Sequence, residues 1–237
     1  MQQISSDGQP ELRILAAERT FVLCCKAPGM ECEREMPKLL AVQLGVESET
    51  IRCVHRLDKA VGGIMVYART AKAAASLSEQ IQSHSFEKRY LAVPGGVPEL
   101  PEGEMRDLLL KDAARGKAYP VQRMRRGVKE AVLDYRVLAS AEISGQTTSL
   151  LLVRLQTGRF HQIRVQMASR GMPLLGDGKY GSREKDCTPA LWSCTVGFAH
   201  PESGRCVRFT AAPPEVFPWN CFSQQAYVMG LDGENWK

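Results

Sequence analysis

The stretch "CVHRLDKAVGGIMVYART", residues 53–70, places an unusual charged segment before a predicted strand. Its apolar run "IMVY" (64–67) is typical of a buried strand. Thr70 is a preferred N-cap residue, and the Ala-, Leu- and Gln-rich segment after it predicts a helix. Ahead of the strand, "HRLD" (55–58) sets one carboxylate beside two cationic or near-cationic groups. Asp58 is therefore either the acid of a surface ion pair or a carboxylate arranged for chemistry.

Working outward, the pattern continues with short apolar strands and a second helix. Strands are predicted over 19–29 and 62–69 and in "EKRYLAVPGG", "EAVLDYRVLAS" and "TTSLLLVRLQTG". A hairpin is predicted over 193–213, and a helix over 159–171 that Gly171 ends. Neighbouring strands often lack a helix between them. The sequence thus predicts an α+β fold with a central mixed, largely antiparallel β-sheet flanked by helices and loops.

Length and composition favour one globular domain over residues 1–237. The chain is 44% hydrophobic and 24% charged, as globular proteins commonly are. It has no apolar run long enough to span a bilayer and no apparent secretory signal. We therefore expect a cytoplasmic protein, monomeric and not bound to membranes.

Eight cysteines raise the question of disulfides or a metal site. No two of them form a C-x-x-C pair, and the chain has only four histidines. Structural zinc sites usually need closely spaced ligand pairs, whereas free cysteines often act as small core hydrophobes. We predict reduced, structural cysteines and no metal.

Positive charge is concentrated in the basic segment, residues 104–129. It carries eight Lys or Arg and three acidic residues, an excess equal to the net charge of +5 of the whole chain. Such an excess fits a phosphate-rich partner, because phosphate contacts release counterions. It equally fits an ordinary solvated surface.

A second dense stretch, "LQTGRFHQIRVQMASRGMPLLGDGKYG", covers residues 155–181. In its predicted helix, Phe160, Ile163 and Met167 share the core face, and Arg164 shares another face with His161. The Gly- and Pro-rich loop that follows is expected to bring Asp177 to a rim. An arginine beside a buried carboxylate keeps it ionised, and such a carboxylate is a competent nucleophile. Arg164 could serve Asp58 in this way.

Six landmarks in order resemble the RluA family of RNA pseudouridine synthases. They are "ILAAERTFVLCCKAPGM", "VHRLDKAVGGIMVYART", "FEKRYLAVPGG", "VKEAVLDYRVL", "GRFHQIRVQMASRGMPLLGDGKYG" and "FAHPESGRCVRFTAAPP". Together they cover residues from about 12 to 218, which the resemblance implies is the core of the single domain. The resemblance also implies that this chain has no separate N-terminal RNA-binding domain of the kind that some members carry. The resemblance implies an enzyme that isomerises uridine to pseudouridine in ribosomal or transfer RNA, without a cofactor or metal.

The resemblance also implies site residues. Asp58 matches the catalytic aspartate, Tyr90 the active-site tyrosine that stacks on the uracil and is a candidate base, and Arg164 the arginine that pairs with the carboxylate. His55 and Arg56 match positions that shape the site or contact phosphate, and the basic segment matches an RNA-gripping insertion. The implied RNA contacts are His55, Arg56, Arg115, Lys117, Arg123, Arg125, Arg126, Arg159 and His161.

The chemistry is consistent with these roles, since the uracil must be unstacked, detached, rotated and rejoined through carbon. Attack of Asp58 at the sugar C1′, attack at the uracil C6 and a glycal route all stay open. A non-catalytic RNA-binding protein on the same fold is the main alternative, and a glycosidase with two carboxylates is a weaker one.

The chain departs from the family pattern at several positions. Val61-Gly62-Gly63 replaces a Thr-Ser-Gly stretch, Phe160 replaces a threonine, and Cys25-Lys26-Ala27-Pro28 replaces Asn-Lys-Pro. None of these changes removes Asp58, Tyr90 or Arg164. They indicate altered substrate contacts near residues 60–63.

Overall fold

The computed structural model describes residues 12–232, which form eleven β-strands and four α-helices. This is the predicted α+β fold, with a large sheet and few helices. The described chain divides into two compact units, 12–87 with 195–211 and 88–194 with 212–232. Residues 1–11, for which we expect no secretory signal, lie outside the described residues.

The first unit is built around hydrogen-bonded strands in the order β1-β2-β4-β10, with β3 paired to β4 and β11 to β10. β2 pairs antiparallel with β4, and β10 with β11 across the predicted hairpin. The strands are β1 (Arg13–Ala17), β2 (Phe21–Lys26), β3 (Arg52–Cys53), β4 (Gly62–Ala68), β10 (Leu191–Ala199, from Thr195 onward) and β11 (Cys206–Thr210).

Two helices belong to this unit, α1 (Glu35–Leu44) and α2 (Ala71–Gln82). The predicted N-cap of α2 is confirmed, because the Thr70 hydroxyl accepts the amide of Ala73 at 3.1 Å. α2 packs Leu77 into an apolar cluster with residues of β2, β4 and β10, including Phe21 and Phe198. α1 has no counterpart in the sequence predictions.

The second unit has the strand order β10-β5-β9-β8-β6-β7. The ladders of β5 with β9, β8 with β9, and β6 with both β7 and β8 are antiparallel. The basic segment folds here as the β6–β7 hairpin and the turn after it. The strands are β5 (Glu87–Ala92), β6 (Glu102–Asp112), β7 (Lys117–Val121), β8 (Val128–Ile143), β9 (Gln146–Leu155) and the first half of β10.

Two helices complete the second unit, α3 (Gln162–Ser169) and α4 (Gln224–Asp232). α3 is shorter than the predicted 159–171, because His161 takes a left-handed conformation at φ 55° and precedes the first turn. Phe160 therefore lies ahead of the helix, not on its core face. Gly171, at φ 75°, follows the C-cap residue and matches the predicted stop.

All eight cysteines are free, as predicted. Cys24, Cys32 and Cys194 are buried, and only Cys206 and Cys221 are exposed. Within residues 12–232, no helix has the length and apolar character needed to cross a membrane.

Candidate active site and nucleic-acid interface

In the first unit, Asp58 lies in the Asp58 segment, residues 54–61, which joins β3 to β4 without regular structure. Its side chains alternate between inside and outside. His55 and Leu57 are buried, Arg56 and Lys59 are exposed, and Asp58 is partly exposed. The segment therefore buries His55 and Leu57 and leaves the carboxylate partly exposed.

Two thiols, one buried and one partly buried, hold the main chain of this segment. Cys53 Sγ donates to the carbonyl of His55 at 3.0 Å, and Cys32 Sγ donates to that of Leu57 at 3.2 Å. Burial raises the pKa of Cys53 to about 12 and also raises that of Cys32. Both thiols therefore stay protonated at neutral pH and remain hydrogen-bond donors.

A buried lysine supplies the third donor. The ammonium of Lys26 is fully enclosed and donates to the carbonyls of Ala27, Met30 and Lys59, each at 3.1 Å. Burial lowers the pKa of Lys26, and the nearby Cys32 and Asp58 oppose that shift. Together with the two thiols, the Lys26 ammonium binds every second carbonyl of the segment, those of residues 55, 57 and 59.

The backbone beside Asp58 forms a tight turn. The Val61 amide donates to the Asp58 carbonyl at 2.9 Å, and the Gly29 amide donates to that of Lys59 at 2.7 Å. Gly63, two residues later, has φ 123°, a conformation that only glycine adopts readily. Residues 61–63 depart from the family pattern, but they retain glycine at position 63, where the backbone requires it.

His55 and Arg56 flank this turn in different environments. His55 is 7% exposed, its Nε2 accepts the Val66 amide at 3.0 Å, and its ring lies 5.5 Å from that of Phe86. This geometry favours a shaping role for His55 over direct phosphate contact. Arg56 is exposed and pairs with Glu33 at 3.1 Å, so an RNA phosphate could compete for it.

In the second unit, Tyr90 lies on β5 opposite Val153 of β9 and is 6% exposed. Successive side chains of a strand point to opposite faces, so Lys88 and Tyr90 share one face of β5. Burial lowers the pKa of Lys88 to about 8. A strand in an antiparallel ladder holds both side chains at fixed positions.

Arg164 is buried and forms a bidentate ion pair with Asp177. Its Nε and Nη2 each donate to one Asp177 carboxylate oxygen at 2.7 Å, and the two side chains are 6% and 1% exposed. The prediction that Asp177 lies at a rim is wrong, because this carboxylate neutralises the buried guanidinium. The pair fixes the arginine in one orientation.

Two glutamines fasten α3 to the strands beside it. Gln162 donates to the Val132 carbonyl at 3.1 Å, and Gln166 to the Asp107 carboxylate at 2.7 Å. Both are buried, as is the rest of the helix up to Met167. The predicted division into a core face and a second face therefore fails, since α3 is enclosed on nearly all sides.

The predicted RNA-contact residues of the second unit cluster at the β6–β7 hairpin and at the start of α3. Arg115 pairs with Asp112 at 3.8 Å, Arg159 donates to the Glu130 carbonyl at 2.7 Å, and His161 bonds Tyr180. Within the described part of the chain, the arginines of the turn after β7 form no ion pair and are exposed. They are Arg123, Arg125 and Arg126.

These two units match a known family. A family model described as RNA pseudouridylate synthase matches residues 20–169, more than half of the chain. The chain therefore belongs to the RNA pseudouridylate synthase family, of the RluA type that its sequence motifs indicate. The matched region contains Asp58, Tyr90 and Arg164.

Individual relatives agree with that membership. The chain is 37% identical over 172 residues to the ribosomal large subunit pseudouridine synthase D of Zymomonas mobilis, covering 68% of this chain and 52% of that protein. It is 31% identical over 205 residues to RNA pseudouridine synthase 2, chloroplastic, of Arabidopsis thaliana, covering 75% and 45%. The chain thus spans about half the length of these curated relatives.

Among solved structures, the human RNA pseudouridylate synthase domain containing 1 superposes with a TM-score of 0.77. That match has 23% identity and covers 94% of this chain and 95% of that one. At this identity the similarity establishes the fold only.

Sequence reasoning missed the residues that support the site, chiefly Lys26, Cys32, Cys53 and Asp177. The sequence contained a signal for Lys26 and for Asp177. Lys26 ends the buried run "FVLCC", where a lysine needs internal acceptors. Arg164 stands among apolar helix residues, where it needs a buried anion such as the Asp177 carboxylate. No comparable signal identified the thiols as donors.

Proposed function

We propose that this protein is an RNA pseudouridine synthase that isomerises specific uridines in ribosomal or transfer RNA, with Asp58 as the catalytic carboxylate and without a cofactor or metal. The observation that carries the proposal is the geometry of the Asp58 segment. Three side-chain donors, two buried and one partly buried, hold its main chain, and the carboxylate is left partly exposed. A group held this way needs little reorganisation when it reacts.

The proposed reaction breaks the C1′–N1 bond of uridine and forms a C1′–C5 bond to the same uracil. The uracil gains a proton at N1 and loses the one at C5, so atoms balance without a second reactant. Asp58 acts as the carboxylate that assists departure of the uracil from the sugar. The C5 proton reaches solvent, which makes its release a direct measure of turnover.

In this proposal, Tyr90 stacks on the detached uracil and removes the C5 proton, and Arg164 serves the catalytic carboxylate. The rigid strand position of Tyr90 and the bidentate hold of Asp177 on Arg164 support these roles, since both side chains are oriented before substrate arrives. The RNA backbone is bound by the exposed arginines of the turn after β7, together with Arg56, Arg115, Lys117, Arg159 and His161.

The experiment that tests the function compares pseudouridines in total RNA from a deletion strain and its parent. We expect at least one uridine to lose its modification in the deletion strain. Wild-type protein should restore it, and Asp58→Ala should not. A matched control, Glu49→Gln on an exposed acid of the same unit, should restore it fully. Restoration by Asp58→Ala would refute the role of Asp58.

A non-catalytic RNA-binding function is the second candidate, and the departure at Val61 and Gly62 favours it. This reading predicts that Asp58→Ala corrects every phenotype of the deletion while RNA binding persists. The two candidates therefore give opposite results with one variant.

A further inference from the structure

An aromatic and cationic cluster stands beside the β6–β7 hairpin, at the start of α3. The rings of Phe160 and His161 stack with centroids 3.8 Å apart and an interplanar angle of 19°. The left-handed conformation of His161, at φ 55°, belongs to the turn that carries both rings. On Phe160, the ammonium of Lys111 lies 4.6 Å from the ring centroid.

The cluster is anchored on its inner side. Tyr180 Oη accepts the Ala118 amide and is also hydrogen-bonded to His161 Nδ1, each at 2.9 Å. Phe160 and Tyr180 pack against a small apolar core that includes Val165. Phe160 is nevertheless only partly buried, and Lys111 is exposed. The ring is thus held firmly by the protein and covered outside by a flexible side chain.

We propose that Phe160 and Lys111 form a binding subsite for one unpaired nucleotide of the RNA. The base inserts between the Phe160 ring and the Lys111 ammonium and extends the stack that begins at His161. The ammonium then moves to the phosphate of the same nucleotide. The inference deepens the proposed function, on which its assignment to substrate RNA rests.

The relative strengths of the two contacts with the Phe160 ring favour replacement of the Lys111 ammonium by a base. An exposed ammonium over an aromatic ring shifts an equilibrium by roughly two- to fivefold. A nucleobase stacked on an aromatic side chain shifts it by about 5- to 150-fold. The base therefore displaces Lys111 readily, and the displaced charge gains a phosphate partner. Stacking accepts any base, so the subsite selects an unpaired nucleotide and not a particular sequence.

The test is a binding titration with a 12-nucleotide single-stranded oligouridine RNA that carries one 2-aminopurine, whose fluorescence falls when it stacks. Wild-type protein should bind it and quench the fluorescence. Phe160→Leu should bind about 5- to 100-fold more weakly and lose the quenching, whereas Phe160→Trp should keep both. Lys185→Gln, on an exposed lysine elsewhere in this unit, should match wild type.

Equal affinity and equal quenching in Phe160→Leu would overturn the proposal. A second measurement uses wild-type protein alone, so it does not depend on how the variants fold. Photocrosslinking of a 5-iodouridine oligonucleotide followed by peptide mapping should place the crosslink at Phe160. Crosslinks only at other aromatic residues would equally overturn the subsite. Neither assay requires turnover, so the subsite can fail while uridine isomerisation stands, and the reverse.

Discussion

The Asp58 segment and the β6–β7 hairpin with its following turn hold charged side chains in opposite ways. In the first, an enclosed ammonium and two protonated thiols bind alternate carbonyls, so the main chain that carries the Asp58 carboxylate is held in place. In the second, exposed arginines follow β7 without ion pairs in the described part of the chain. A charge carried on a held main chain suits bond-making chemistry, and exposed charge without ion pairs suits an RNA backbone of variable shape. Substitutions in the first should therefore reduce stability and turnover, and those in the second should reduce RNA affinity.

The largest effect is expected at the buried ion pair that orients Arg164. Arg164→Lys keeps the charge but cannot reproduce the two parallel bonds to Asp177. We expect a loss of about 3 kcal/mol in the free energy of unfolding and at least ~100-fold in activity, because a buried carboxylate is left poorly paired. Urea unfolding and tritium release measure the two losses. Arg19→Lys, at an exposed pair with Glu202, should cost less than about 1 kcal/mol. Stable and active Arg164→Lys protein would contradict the account.

The next effect is expected at Lys26, the enclosed donor of the Asp58 segment. Lys26→Met removes three charged hydrogen bonds and should lower the free energy of unfolding by about 2–4 kcal/mol. Turnover should fall through kcat, with KM for RNA nearly unchanged, since the lysine reaches no exposed surface. Lys38→Met, at an exposed position of α1, should change stability by no more than about 0.5 kcal/mol. A rise in KM alone would indicate that Lys26 does not position the segment.

The arginines of the turn after β7 should show the reverse pattern, with RNA affinity reduced and stability unchanged. Replacing Arg123, Arg125 and Arg126 together by glutamine should leave the free energy of unfolding within about 1 kcal/mol of wild type. KM for RNA should rise about tenfold or more, and the slope of log affinity against log salt should become shallower by up to about three. Arg183→Gln with Lys185→Gln, exposed elsewhere in the same unit, serves as the control. An unchanged salt slope would exclude these arginines from the RNA contact.

The smallest effect is expected at Cys53, and it depends on pH. The folded pKa of this thiol is about 12, above its ordinary value of 9.0, so the protonated form stabilises the fold. That contribution is fully present below about pH 9 and is lost as the pH rises towards 12. Cys53→Val should cost about 1 kcal/mol at pH 7 and should lose less stability than wild type between pH 9 and 11. Parallel pH profiles for the two proteins would contradict the raised pKa that burial gives this thiol.

Local sequence signals predicted the elements whose causes are local. Thr70 offers a capping hydroxyl and is followed by helix-forming residues, which together indicate an N-cap. The strand over 62–68 is indicated by its apolar run. The hairpin of β10 and β11 follows from its turn residues. α1 was missed, although its buried residues include Met36 and Leu40.

The contacts of Cys32, Lys26 and Arg164 that support the site could not be predicted, because each depends on chain segments that only the fold brings together. Cys32 lies 25 residues from the carbonyl it binds, and Lys26 lies 33 residues from that of Lys59. The Arg164 and Asp177 pair depends on the loop after α3 folding back on the helix, which composition alone does not determine. The motif singled out Asp58, but only the fold shows the turn and the donors that hold its main chain.

The most direct test of the central claim, that the fixed Asp58 carboxylate performs the chemistry, is tritium release from RNA labelled at uridine C5. The RNA should come from the deletion strain, so that the target uridine is unmodified. Asp58→Asn preserves the shape of the side chain and removes its charge. The account predicts steady release by wild type and background release by Asp58→Asn, with RNA affinity and stability close to wild type. Turnover by Asp58→Asn at the wild-type rate would contradict it.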